Sequence, residues 1–286
     1  MTPYRFAGRT AVLTGAASGI GEHLAYGLSA RGSNLVLVDV DAARLTAVAD
    51  RIRTSHPGIT VQTIVADLAD RSAVDDVAER IRSEHPALGL LVNNAGIALG
   101  GRFDQISVAQ FETVMNVNFR APMLLTHALL PSLSNGSHLV NVSSLFGLIA
   151  PPGQSAYAAS KFALRGLSES LRSELAENGI GVTTVHPGGI RTRIAESALV
   201  GVDVPESEIE PNRKLFAALL SYPPEKAAEQ ILRAVATRKA RLLISTSAKV
   251  PDLLARLLPV GHARIVRALT TASAARPASA ERVVNR

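Results

Sequence analysis

The chain has 286 residues, of which 47% are hydrophobic, so it can bury a large core and suits one large α/β domain or two small ones. It contains no cysteine, which excludes disulfides, thiolate catalysis and metal sites with cysteine ligands. The net charge of +6 does not point to nucleic acid, because the basic excess is confined to the end of the chain. From residue 238 onward there are 10 Lys and Arg against 2 acidic residues, a net of +8.

The first residues lack the apolar segment of a secretory signal peptide, and no uncharged apolar run reaches the roughly 18 residues that a membrane span needs. The absence of cysteine also fits a reducing compartment. We therefore expect a cytoplasmic protein without a membrane span and without a nucleic-acid partner.

Short apolar runs alternate with helical patterns along most of the chain. The runs are rich in Val, Leu and Ile and mostly continuous, as expected for strands that are covered on both faces. The predicted strands are 10–13, 34–38, 60–66, 88–92, 138–142, 181–185 and 241–245. The predicted helices lie near 19–31, 41–54, 71–84, 108–133, 155–177 and 224–238. This alternation predicts a doubly wound parallel sheet of about seven strands with helices on both faces.

A glycine-rich turn joins the first predicted strand to the first predicted helix. Gly15 would permit a tight turn, Gly19 would let the backbone approach a diphosphate, and Gly21 would let the helix pack closely on the strand. Ser18 and Ile20, at the helix N-terminus, would complete a site for phosphate groups. The spacing G-x-x-x-G-x-G differs from the commonest dinucleotide pattern, but its place between strand and helix favours dinucleotide binding.

Asp39 ends the second predicted strand. A carboxylate there can accept hydrogen bonds from the adenosine ribose and would repel a 2′-phosphate, and no Lys or Arg follows directly to attract one. The alternative is that Asp39 or Asp41 only caps the next helix. Asp41 fits the cap better, which leaves Asp39 for the ribose. The sequence therefore predicts NAD rather than NADP.

Tyr157 and Lys161 are four residues apart on a predicted helix and so share one face. A free phenol has a pKa of about 10, and a nearby ammonium group lowers it toward the range of a useful acid/base. Taken alone, the pair also fits a surface Lys beside a half-buried Tyr. Ser144, after the strand 138–142, could polarise a substrate oxygen. Ser143 competes for this role, and a Ser pair after a strand often only forms a turn.

Together these motifs resemble those of the short-chain dehydrogenase/reductase family over residues 8–247. The matching positions, in family order, are 14–21, Asp67, 93–96, Asn118, Ser144, Tyr157, Lys161, 187–188 and Thr192. The resemblance implies a single Rossmann-type domain in which hydride passes between the nicotinamide and the carbon that bears the substrate oxygen. We therefore expect NAD as the cofactor and no metal, since the seven histidines form no zinc-binding pattern.

The resemblance also implies a role for each matching residue. Tyr157 would transfer the substrate proton, and Ser144 would orient the substrate oxygen. Lys161 would bind the nicotinamide ribose and lower the pKa of Tyr157, while Asn118 would hold a water that links Lys161 to solvent. Asn94 could instead brace neighbouring strands. The remaining cofactor contacts would be Asp67 and Leu68 at the adenine, Asn94, Ala95 and Gly96 at the adenosine ribose, and Ile190 and Thr192 at the carboxamide, beside Pro187 and Gly188.

The segments 145–149 and 193–222 are mostly apolar and should border the substrate. They favour a hydrophobic secondary alcohol or its ketone. The alternative is that these residues only pack a lid onto the domain. Two other functions remain open, a non-enzymatic NAD(H)-binding regulator on the same fold and an NADP(H)-preferring carbonyl reductase.

Residues 1–247 are expected to form one domain, and 248–286 a C-terminal extension. Segments 252–258 and 262–269, separated by Pro259, each place apolar residues on one face and predict two short helices. We favour their packing on the domain or on a partner subunit over contact with an anionic membrane surface. After Thr271 the composition predicts disorder. The resemblance implies a homodimer or homotetramer, formed through the helices near 108–133 and 155–177.

Overall fold

A computed structural model describes residues 2–261. Strands and helices alternate through these residues. The strands are β1 (Thr10–Thr14), β2 (Asn34–Asp39), β3 (Val61–Val65), β4 (Leu88–Asn93), β5 (Leu99–Gly100), β6 (Leu133–Val142), β7 (Gly181–Pro187), β8 (Leu199–Val200) and β9 (Arg241–Ile244). The helices are α1 (Gly19–Ser29), α2 (Ala42–Ser55), α3 (Arg71–Glu84), α4 (Val108–Met115), α5 (Ala121–Leu129), α6 (Ser155–Ala176), α7 (Glu206–Leu219), α8 (Pro224–Ala236) and α9 (Thr246–Leu257).

Seven of the strands form one parallel sheet in the order β3-β2-β1-β4-β6-β7-β9. The register places Val12 of β1 opposite Val36 of β2 on one side and Leu91 of β4 on the other. β5 and β8 pair separately as a small parallel ribbon. The direction of winding reverses between β1 and β4, and in such sheets the ligand cleft opens beyond the carboxyl ends of the strands at that point. The predicted Rossmann-type architecture is confirmed.

The core consists of two layers, one on each face of the sheet. Ala11 and Leu13 of β1 belong to the layer under α1, α2 and α8, whereas Val12 between them belongs to the layer under α3 and α5. Successive side chains of a strand point to opposite faces, so a strand covered on both faces must be apolar at every position. This explains why the strands are continuous apolar runs.

The predicted helix near 108–133 is helical along its length but changes its helix type. It consists of α4, the π-helical turn Asn116–Arg120, α5 and the 3₁₀ turn Leu130–Ser132. Pro122 near the start of α5 lacks the N–H that a continuous helix would use, and the preceding Ala121 N–H bonds to Asn116 O. β6 then begins at Leu133, five residues before the predicted strand.

The first predicted C-terminal helix also begins earlier than expected. The sequence placed its start after Pro251, but α9 begins at Thr246 and includes that proline. The expected boundary at residue 247 therefore falls within the first turn of α9. The second predicted helix, 262–269, and the tail after Thr271 lie outside the described residues. Among residues 2–261, no helix is both long enough and apolar enough to span a bilayer.

Candidate active site

A cavity of about 830 Å³ opens at the carboxyl ends of the strands. It extends from Asp39 at the end of β2 to Pro251 in α9. All the site residues predicted from the sequence border it except two, Gly21 and Asn118, which lie behind its wall. The bordering positions are Gly15, Ser18, Gly19, Ile20, Asp39, Asp67, Leu68, Asn94, Ala95, Gly96, Ser144, Tyr157, Lys161, Pro187, Gly188, Ile190 and Thr192.

The glycine turn packs against the segment that follows β4. Gly15 and Gly19 have φ of +65° and +59°, a conformation that side chains rarely adopt. A methyl group on Gly21 would overlap the carbonyl oxygen of Gly15. The Asn94 amide donates to Thr14 O at 3.1 Å and Gly15 O at 3.0 Å. Asn94 therefore braces the turn, the alternative that the sequence left open, and it also borders the cavity.

Asp39, the last residue of β2, and Asp41 make different contacts, and only the predicted cap by Asp41 is confirmed. The Asp39 carboxylate accepts from the backbone N–H of Ala17 at 2.9 Å and of Asp41 at 3.0 Å, which joins the end of β2 to the glycine turn. Asp41 caps α2 by accepting from Arg44 N. Among the described residues that border the cavity, the basic ones are Lys161 and Arg193.

The residues around the turn suit a dinucleotide. The first N–H groups of α1 have no partner within the helix, and they border the cavity at Gly19 and Ile20. A methyl group on Gly19 would lie 2.8 Å from the Thr192 side chain, so the segment after β7 closes over the turn. A methyl group on Gly96 would lie 3.1 Å from Lys161 Nζ, which leaves a narrow space that glycine keeps open.

Tyr157 and Lys161 lie side by side on α6 and are both buried. Lys161 Nζ lies 5.7 Å from the centre of the Tyr157 ring and donates to Val142 O at 3.0 Å. Ser144 Oγ accepts from Phe146 N at 3.1 Å. The neighbouring Ser143 donates its hydroxyl to Lys161 O at 2.9 Å, so it fastens α6 to the end of β6. This geometry favours Ser144 over Ser143 as the substrate-facing hydroxyl.

Burial shifts the two titratable groups in opposite senses. It raises the pKa of Tyr157, although a hydrogen bond with Ser144 opposes the rise. It lowers the pKa of Lys161 to about 8. We expected Lys161 to lower the pKa of Tyr157. The net direction is upward, because the loss of solvation outweighs the hydrogen bond with Ser144.

Asn118 lies in the π-helical turn and is fully buried. Its amide donates to Ile97 O at 3.0 Å and Ser160 Oγ at 3.1 Å, and its oxygen accepts from Ile97 N at 2.9 Å. Asn118 thus joins the segment after β4 to α6, and its role in holding a water stays a prediction. Ser160 was not predicted as a site residue. Its hydroxyl donates to Tyr157 O at 2.7 Å. A serine directly before the lysine was the available signal.

Known proteins resemble the chain over most of its length. A family model described as short chain dehydrogenase matches residues 9–200, more than half of the chain. The chain belongs to the short-chain dehydrogenase/reductase family. This short-chain dehydrogenase/reductase is 40% identical over 273 residues to SadH of Mycobacterium tuberculosis, which carries the name of an oxidoreductase, and the match covers 92% of this chain and 95% of that protein. The protein is accordingly an oxidoreductase of this family.

Solved structures of family members superimpose closely on this short-chain dehydrogenase/reductase. One from Burkholderia phymatum, in complex with NAD, has a TM-score of 0.81 at 26% identity and covers 89% of this chain and 95% of its own. Another from Sphingobium yanoikuyae, in complex with NADPH, has a TM-score of 0.72 at 30% identity and covers 95% of this chain and 98% of its own.

On the substrate side, the cavity of this short-chain dehydrogenase/reductase is mainly apolar. The apolar residues that border it there are Leu145, Phe146, Ile149, Pro151, Ile194, Leu215, Phe216, Leu219, Leu220 and Val250. Helix α7, which supplies Leu215, Phe216 and Leu219, has no buried residue. Its apolar side chains therefore face the cavity or solvent and are not packed into the core. The described residues contain no group of three or more His, Asp and Glu placed to hold a metal ion.

Proposed function

We propose that this protein interconverts an alcohol and its carbonyl by hydride transfer with NAD(H), with Tyr157 as the general acid/base. One observation carries the proposal: Tyr157, Lys161 and Ser144 border the same cavity as the glycine turn. A cofactor on the turn and a substrate at Ser144 would therefore share one enclosed space. The solved relatives in complex with NAD and NADPH support a nicotinamide dinucleotide.

The nicotinamide, when bound, supplies or accepts the hydride. The protein's own groups manage the proton and the oxygen. In reduction, the Ser144 hydroxyl donates a hydrogen bond to the carbonyl oxygen, and Tyr157 transfers its phenolic proton to that oxygen. The raised pKa of Tyr157 keeps the phenol protonated before this step. The ammonium group of Lys161 then stabilises the phenolate that remains. In oxidation the same proton returns to Tyr157.

Asp39 supports NAD over NADP. Its carboxylate lies at the cavity edge, held by Ala17 N and Asp41 N, where it can accept from a ribose and would repel a 2′-phosphate. Asp39→Ala should lower kcat/KM for NAD by about tenfold to a hundredfold, since hydrogen bonds to charged groups contribute about 1.5–3 kcal/mol, and should raise it for NADP. Steady-state kinetics with both cofactors measures the change.

Asp41→Ala gives the matched control for this substitution. It removes a carboxylate two residues away that caps α2 and pairs with Arg44 on the same helix, so the ratio of NAD to NADP activity should stay unchanged. A ratio that is equally unchanged in Asp39→Ala would show that Asp39 does not select the cofactor.

The apolar wall supports a hydrophobic secondary alcohol or ketone as the substrate. A panel of secondary alcohols of increasing chain length, with NAD, and of the matching ketones, with NADH, tests the reaction and the substrate class together. We expect turnover, and we expect kcat/KM to rise with the apolar surface of the substrate. Because the chain has no Trp, NADH binding is followed by the fluorescence of NADH itself. Binding without turnover of any substrate would favour the NAD(H)-binding regulator instead.

A further inference from the structure

Helix α9 forms part of the substrate wall. Four residues of α9 border the cavity. They are Val250 and Pro251, and Thr246 and Ser247 at the start of the helix. The helix also contacts the turn Leu145–Gly147, which directly follows Ser144. A shift of α9 would therefore change both the width of the cavity and the support of the turn that carries Ser144.

A partly buried ion pair fastens the middle of α9 to the sheet. Asp252 is only 8% exposed, and its carboxylate accepts from both terminal nitrogens of Arg241 on β9. Arg256, one turn further along α9, donates to the same carboxylate at 3.2 Å. Two parallel bonds from one guanidinium group fix the direction of the carboxylate as well as its distance. The Arg241 Nε is buried without a hydrogen-bond partner, so the carboxylate is its main compensation.

The start of α9 is fastened separately. Ser245, directly before the helix, has φ of +73°, which is rare for a residue other than glycine. This turn brings Ser247 Oγ to the segment after β7, where it accepts from Gly189 N at 3.1 Å. A side chain on Gly188 would overlap Ser247 Oγ, so the two segments are in close contact. Gly189 itself borders the cavity.

β7, the strand next to β9, also supports Ser144. His186 of β7 is buried and donates from Nδ1 to Ser144 O at 3.0 Å. The charges that act on His186 are those of Arg241, Arg165 and Asp252. The two members of the ion pair oppose each other at His186, since Arg241 lowers its pKa and Asp252 raises it.

We propose that the Arg241–Asp252 ion pair is a specificity-determining device, which positions α9 so that Val250 and Pro251 limit the size of the bound substrate. This inference rests on the proposed alcohol–carbonyl activity. Asp252 touches neither substrate nor cofactor, so it is a positioning residue. When Asp252 loses its charge, Arg241 is left partly buried without compensation, and α9 moves away from the sheet.

The first test does not depend on turnover. Amide hydrogen exchange is measured for Asp252→Asn and for Glu229→Gln, a matched control that breaks the ion pair between Glu229 of α8 and Arg31 in the turn after α1. In Asp252→Asn we expect about tenfold faster exchange in residues 246–257, and faster exchange in 145–149, with residues 224–236 unchanged. Exchange in α9 equal to that of the wild type would overturn the role of the ion pair.

The second test measures substrate selection. In Asp252→Asn, kcat/KM for long alcohols should rise several-fold relative to kcat/KM for short alcohols. The change should come from a lower KM for the long alcohols, and kcat for the shortest alcohol should stay unchanged. Val250→Ala, which shortens a half-exposed side chain of the wall, should shift the preference in the same direction even if Asp252→Asn folds poorly. An unchanged preference in both variants would overturn the inference. If the wild type turns over no alcohol, the proposed activity fails, and hydrogen exchange still decides whether the ion pair holds α9.

Discussion

Tyr157 and Lys161 show how a separation of one helical turn brings together two side chains that can act in proton transfer. Their spacing places both on the buried face of α6, where the loss of solvation keeps the phenol protonated and brings the pKa of the amine to about 8. Each shift disfavours the charged form of its own group. A reaction that moves a proton off Tyr157 therefore benefits from the positive charge beside it.

The close packing of the glycine turn predicts the effect of adding a single methyl group to it. In Gly21→Ala the new methyl group overlaps Gly15 O and approaches the Asn94 amide to 2.7 Å, so the turn must shift. We expect NADH binding, followed by its fluorescence, to weaken by at least about tenfold, a loss of roughly 1.4 kcal/mol.

Gly166→Ala is the matched control for that substitution. Gly166 lies in the interior of α6, and a methyl group there meets no atom within 4 Å. This variant should bind NADH normally and unfold at a slightly higher temperature, since alanine favours a helix over glycine by up to about 1 kcal/mol. Normal binding by Gly21→Ala would contradict the close packing of the turn.

Most motif residues could be predicted because they lie at the end of a strand or in the segment or helix that comes next, and parallel strands bring their carboxyl ends to one edge of the sheet. The hydrogen-bond partners of these residues could not be predicted. That Asn94 braces Gly15, or that Ser143 bonds to Lys161 O, depends on distances between segments far apart in the chain. The pKa direction of Tyr157 was also beyond the sequence, because it depends on how completely the residue is buried.

At the scale of elements, the strands were predicted well and the irregular connections were not. A strand between two layers of helices must be apolar throughout, which is readable without a structure. The change of helix type between α4 and α5 had a signal in Pro122, but the π-helical turn that places Asn118 beside Ile97 has no sequence pattern of its own. The start of α9 before Pro251 depends on its packing against β9.

Helix α9 leads to a prediction for shortened chains. A chain that ends at Ser247 loses Asp252 and leaves Arg241 unpaired. Breaking a fully buried pair on one side costs about 3–5 kcal/mol, and this pair is partly exposed, so the free energy of unfolding should fall by less than that. A chain that ends at Gly261 retains every contact of α9 described above, so it is the control for this loss. Thermal unfolding compares the three chains, and equal midpoints for all would show that α9 adds nothing to the domain.

At the scale of the whole molecule, the two ends of the sheet differ in what they contain. The carboxyl ends carry the cavity, while His138 near the opposite end is fully buried. His138 Nε2 lies 2.8 Å from Thr183 Oγ1, which donates to Lys239 O, so the imidazole is the donor in that bond. Arg238 Nη1 approaches its Nδ1 at 3.4 Å. The network requires a neutral imidazole.

This buried histidine predicts a pH dependence of stability. Burial, and then the charge of Arg238, lower the pKa of His138 from 6.5 to about 3. The unfolded chain therefore binds the extra proton first, and stability that is present above pH 6.5 is lost as the pH falls toward 3. The slope is about 1.4 kcal/mol per pH unit for this one group.

The measurement is the free energy of unfolding at pH 7 and pH 5 for the wild type, for His138→Gln and for His127→Gln, an exposed control on α5. The loss on acidification should be smaller in His138→Gln than in the other two proteins. An equal loss in all three would show that His138 does not contribute.

The most direct test of the proposed activity compares Tyr157→Phe with Tyr26→Phe, which removes a hydroxyl outside the cavity that bonds to Glu22. Both variants should bind NADH like the wild type. Tyr157→Phe should lose at least about a hundredfold in kcat on the best alcohol, as expected when a general acid/base is removed, and Tyr26→Phe should lose none. If Tyr157→Phe turns over at the wild-type rate, Tyr157 is not the proton-transfer group and the proposed mechanism is wrong.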